Sequence, residues 1–141
     1  MQSIKRILRR HSVAIISLTV AITALCYDTW RNEETEKNRN IRVASFEILK
    51  NLEQLQLIVN SAHFEGQSSK VNSFSGWEHV ALITDLSMLL PEPFSESADK
   101  LLAVWKANWS DIKTNESSVD NITNEIDHSR QVILQGLRSI R

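Results

Sequence analysis

One stretch limits the chain more than any other. Ser12 to Tyr27, SVAIISLTVAITALCY, carries no charge, no glycine and no proline, and Lys5, Arg6, Arg9 and Arg10 precede it. At ~1.5 Å per residue, a helix over this segment and on to Trp30 is about 28 Å long, close to the ~30 Å hydrocarbon layer. Tyr27 and Trp30 fall where interfacial aromatic residues sit. Residues 12–30 are therefore read as a single transmembrane signal anchor, and residues 1–11 as a basic cytoplasmic segment. Asp28, Glu33, Glu34 and Glu36 follow the anchor, so the positive-inside rule places the C-terminal part outside. Lipid modification of Cys26 is disfavoured because Leu25, not a small residue, precedes it. Cleavage after Ala24-Leu25-Cys26 competes with retention. The unbroken helical composition beyond it favours an uncleaved anchor.

Charge distribution narrows the function classes. All 17 acidic residues follow the apolar core of the anchor, but only 12 of the 16 basic ones do, leaving that part at −5. This balance excludes nucleic acid as an expected partner. The only cysteine is Cys26, so no disulfide can form within the chain.

The chain beyond the anchor reads as all helix. Its three glycines and two prolines, Gly66, Gly76, Pro91, Pro93 and Gly136, all lie after residue 65, so the anchor helix can continue unbroken to Phe64. Residues 31–40 lack an apolar face and form a helical stalk. Ile41, Ala44, Ile48, Leu52, Leu55, Val59 and Ala62 then recur at steps of three and four, with Phe46, Leu49, Leu57 and Ile58 widening the stripe. Glu65 to Ser75 is loop by composition. Ser75-Gly76-Trp77-Glu78 reads as a capping box opening a second helix to Leu90. Trp77, Val80, Ala81, Ile83, Leu86 and Leu90 form its stripe, and Leu82 and Leu89 its flanks. Pro91-Glu92-Pro93 reads as an extended connector, after which Ser95 or Ser97 caps a third helix on Ala98, Leu101, Trp105 and Ile112. The last helix places Val119, Ile122, Ile126, Ser129, Ile133, Gly136 and Ile140 in a coiled-coil-like heptad seam. Residues 41–141 should form a helical bundle. The expected architecture is a transmembrane helix continuing into a long helix, packed with three further helices as an up-down four-helix bundle.

Candidate site residues are few. Trp77, Trp105 and Trp109 fall on apolar faces of neighbouring helices and read as an aromatic core, or as a ligand or partner pocket. Asp85 interrupts the apolar run VALITDLSMLL and should need a partner: an internal ion-pair network with Arg39 and Arg42, or a ligand or partner that these three residues bind. Val132, Leu134 and Leu137 lie off the last helix's seam and suggest an interface, with completion of the monomer core as the competing reading. His63, Glu65 and His79 lack any metal-ligand spacing, so no metal and no cofactor is expected. The three Asn-x-Ser/Thr triplets at Asn108, Asn115 and Asn121 matter only in a eukaryotic source. No catalytic motif is present, and the chain is not read as an enzyme.

Tyr27-Asp28-Thr29-Trp30-Arg31, Arg39-Asn40 with Arg42 and Phe46-Glu47, Asp85-Leu86 through Leu90-Pro91, and Trp105 with Asn108-Trp109 resemble bacterial single-pass inner-membrane proteins with a small periplasmic helical domain. That resemblance implies a place in the bacterial inner membrane and no particular activity. In architecture the chain is also similar to chemoreceptor sensor domains, but it lacks their second membrane helix. The expectation is a membrane-anchored interaction module, an accessory or scaffold subunit meeting an envelope protein and open to homo-oligomerisation. The alternative is a small-molecule-binding sensor bundle that signals through a separate membrane protein.

Overall fold

The computed structural model describes residues 11–64 and 75–140. The basic segment before the anchor and the loop read over 65–75, Ser75 excepted, lie outside the described residues. There are four helices, α1 (Ser12–Phe64), α2 (Gly76–Ser87), α3 (Phe94–Asn108) and α4 (Glu116–Ser139), and no strand among the described residues. The chain divides into two compact units, one ending at Asn38 and the other beginning at Arg39. That boundary falls inside the segment read as a stalk.

In the first unit, every side chain from Val13 to Lys37 is exposed. With no glycine or proline, nothing interrupts the helical hydrogen bonding of α1. Thr19, Thr23, Thr29 and Thr35 donate their hydroxyls to the carbonyls four residues back, at 2.8–2.9 Å. The helix therefore satisfies these threonine hydroxyls as well as its backbone, the condition a lipid environment imposes. The segment is long and apolar enough to cross a membrane, and none of its most apolar window is buried, unlike the core helix of a soluble protein.

The second unit is the four-helix bundle. The stripe of α1 is buried at every expected position from Ile41 to Ala62. Val80, Ile83 and Leu90 oppose it, together with Phe94, Ala98, Leu101, Trp105 and Ile112, and with Val119, Ile122, Ile126 and Ile133 of α4. Each fully buried Leu or Ile contributes about 1.5–3 kcal/mol through burial. Cross-helix hydrogen bonds fix the directions. Gln56 donates to Thr123, and Arg130 reaches Glu53 at 3.3 Å, so α1 and α4 run antiparallel. Ser97 and Ser129 hydroxyls pair at 3.0 Å, and Asn121 donates to Asn108, so α3 and α4 also run antiparallel. His79 bonds Asn51 at 2.8 Å between α2 and α1. The expected up-down arrangement is the one observed.

The two later glycines act where backbones or rings come close. A Cβ on Gly76 would strike the Trp105 ring, and one on Gly136 would strike the Phe94 ring. The small residue in the α4 seam thus seats an aromatic ring rather than a whole neighbouring helix.

Local details differ from expectation. Ser75 forms no side-chain cap, because its backbone is already helical (φ −64°, ψ −20°) and does not aim the hydroxyl at the free amides. Neither Ser95 nor Ser97 caps α3. Glu92 does so from the preceding turn, accepting from the Ser95 hydroxyl at 3.1 Å and the Glu96 amide at 3.4 Å. The Pro91-Glu92-Pro93 connector is not extended; it closes a tight turn, with a bond from the Phe94 amide to the Pro91 carbonyl and a cis Glu92–Pro93 peptide. Asn115 caps α4 by accepting from the Ser117 amide. Phe46, Leu57 and Leu89 are exposed and Leu82 partly so, because neighbouring helices cover only one arc of α1 and α2.

Candidate functional site

The three bundle tryptophans come together. Trp77 stands edge-on to both neighbours, with ring centroids 6.3 Å from Trp105 and 5.8 Å from Trp109. Such edge-to-face pairs add about 0.5–1.5 kcal/mol each beyond burial. Trp105 is fully buried; Trp77 and Trp109 are half-buried. The Trp105 ring lies against Gly76, which lets the first turn of α2 approach it. Its buried indole Nε1 has no hydrogen-bond partner, whereas a buried indole N–H usually finds one.

The charged residues do not join that cluster. Asp85 is exposed, so its carboxylate keeps its water and needs no buried counter-charge. The internal network expected between Asp85 and the arginines does not form. Arg42 is exposed and donates to the Ile140 carbonyl at 3.3 Å, tying the start of the α1 stripe to the end of α4. Arg39 is also exposed. Ion pairs among the described residues include Glu47–Lys50, Glu96–Lys100, and Arg130 with both Glu53 and Asp127. All are partly solvated, and such pairs contribute about 0–1 kcal/mol.

The histidines hold protein partners. His63 donates Nδ1–H to the Ile112 carbonyl at 2.9 Å and packs edge-on against Phe64. In the His79–Asn51 pair, the Asn51 amide nitrogen donates to the Glu47 carbonyl, so its oxygen accepts and His79 Nδ1 carries the proton. Glu65 lies outside the described residues. No group of three or more His, Cys, Asp or Glu comes together among the described residues.

On α4, Val132 and Leu137 are half-buried and pack against the core, while Leu134 is 40% exposed. Two of the three residues read as an interface thus complete the core. The larger exposed apolar side chains lie on other helices: Val43, Phe46, Leu57 and Phe64 on α1, and Leu82, Met88 and Leu89 at and just beyond α2. Their signal in the sequence is spacing, since Val43, Phe46, Leu57 and Phe64 share one heptad register opposite the buried stripe.

Within the core, a void of about 10 Å³ lies beside the Ser97–Ser129 pair, between Ile48, Ile83, Phe94 and Ile133. That is about the lower limit for one water molecule. A wider open groove of about 480 Å³ runs between α3 and α4, past Ala103, Ala107, Asn108, Asn121 and Glu125. Comparison with protein-family models, with characterised proteins and with solved structures gave no match.

Proposed function

We propose that the chain is a membrane-anchored helical interaction module, an accessory or scaffold subunit of a bacterial envelope complex. Residues 12–30 hold it in the inner membrane with the N-terminus cytoplasmic, and the bundle meets its partner in the periplasm. The observation carrying this reading is a well-packed bundle that leaves large apolar side chains outside: Met88 is 69% and Leu89 72% exposed, and Leu82 on the same helix-and-turn segment is also exposed. Apolar side chains grouped on a soluble face mark contact surfaces. The reading assigns the chain no catalytic step. A small-molecule sensor would need Trp77, Asp85 and Trp105 to line one cavity, and the exposure of Asp85 speaks against it.

Two measurements test the proposal. A periplasm-dependent reporter fused after Arg141 should be active, and an active cytoplasm-only reporter there would reverse the topology. A photoreactive residue at Leu89, in intact membranes, should capture one defined partner that the same group at exposed Lys106 does not. Equal or absent capture at both positions would remove the interaction face.

A further inference from the structure

Numbering α1 in heptads with Val43 at position a puts Phe46 at d, Leu57 at a and Phe64 at a. All four are at least 55% exposed, on the side away from the bundle core. Within the first unit, the same register puts Ile15 and Ile22 at a, and Leu18 and Leu25 at d; all four are exposed. Counted along the sequence alone, the interval between Leu25 and Val43 keeps the heptad numbering. β-Branched residues at a with Leu at d are the pattern that favours parallel pairs of helices.

We propose that the a and d positions of α1 form a parallel, in-register contact with a second copy of this chain. The proposal rests on the membrane-anchor reading above. Two copies inserted the same way are parallel by construction, and anchoring in one plane raises their effective concentration. A two-fold contact of that kind sets each residue against its own counterpart, so a surface complementary to itself is what the geometry requires.

The flanking charges fit this occupant. Arg42 falls at g and Glu47 at e, the offset at which parallel helices form ion pairs between chains. Arg42 is exposed and Glu47 half-buried. Lys50 and Glu53 occupy a and d between Phe46 and Leu57; Arg130 neutralises Glu53 within each copy, and Glu47 would lie between Lys50 of its own copy and Arg42 of the other. In the polar stretch, Asp28 and Glu33 repeat the g-to-e offset with like charges. The contact is therefore carried by the apolar layers on either side of that stretch.

The test uses full-length protein in native membranes, with Cys26→Ser as background and one cysteine added at a time. Val43→Cys and Leu57→Cys lie on the seam, both at exposed a positions. Glu34→Cys lies at the opposite heptad position of the same helix, and Lys106→Cys lies at an exposed position of α3. A short bis-maleimide should give a species of twice the chain mass at both seam positions, at least tenfold above both controls. Equal crosslinking at all four sites, none at any, or crosslinking at only one seam position would overturn the inference. A seam product containing a different protein would overturn the choice of a second copy. Alkaline carbonate extraction of the same membranes separates the two levels of the argument. A chain that stays in the pellet but does not crosslink loses only the seam, whereas one that is released loses the anchor and the seam together.

Discussion

Residues 13–37 and 41–62 belong to one helix and resolve opposite problems. In the first stretch every side chain is exposed, Val13, Leu18, Val20 and Leu25 among them. In the second, Ile48, Leu52, Leu55 and Val59 are almost wholly buried by three neighbouring helices. The backbone is the same and the apolar content similar; what differs is the source of the apolar surroundings. On the proposed anchor reading, one part relies on a solvent that is itself apolar; the other relies on the rest of its own chain. Helical propensity therefore decides neither region, and the pattern of polar positions decides both. An unbroken apolar run suits lipid on all sides, while a stripe suits a bundle.

Predictions follow from trying to break that contrast. The largest effect belongs to the bundle. Trp105→Ala removes the centre of the aromatic cluster and should cost about 3–5 kcal/mol in denaturant unfolding, with membrane retention unchanged. A cost below about 1 kcal/mol would show that the cluster is not the packing centre described here.

The reciprocal change acts on the anchor. Val20→Arg places a charge mid-segment and should weaken insertion by about 2.5–3.5 kcal/mol. Alkaline extraction should release it, while the tryptophan-fluorescence melt of the bundle stays at the parental temperature. A matching drop in that melt would mean that the two regions are energetically one unit.

A smaller effect probes the polar pair inside the bundle. Ser97→Ala or Ser129→Ala alone leaves a buried hydroxyl without its partner and should cost about 1–3 kcal/mol, whereas the double variant should be nearly neutral. Additive losses in a double-mutant cycle would show that the 3.0 Å contact is not a coupled bond.

The smallest effect sharpens the correction at Asp85. Since the side chain is exposed, Asp85→Leu should change stability by less than about 0.5 kcal/mol. A loss several times larger would restore the buried-charge reading.

How much of this was legible in the sequence depended on how local its cause is. The α1 stripe from Ile41 to Ala62 was read residue by residue, because three-four spacing follows from helix geometry alone. The bundle topology followed from short connections. Phe46 and Leu57 were misread, since spacing says that a residue is apolar but not how wide an arc the neighbours cover. Asp85 was misread for a related reason: α2 buries only Gly76, Val80, Ile83 and Ser87 along one edge, so an apolar sequence run there does not mean a buried run. The tryptophans were grouped correctly by helix, but their edge-on geometry and the unpartnered Trp105 indole depend on how α2 and α3 dock. The Glu92 cap was invisible because it depends on a tight turn that two prolines did not by themselves announce.

The seat of Phe94 on Gly136 has a consequence of another kind. The ring occupies the space where any other residue at 136 would place its first carbon. The two positions, forty-two apart in the chain, thus form one locus spelled with two letters. Enlarging one is tolerated only if the other shrinks. Among sequences descended from this one, residues 94 and 136 should therefore change together, and a chain carrying a larger residue at 136 beside an unchanged Phe94 must displace that ring from its buried seat.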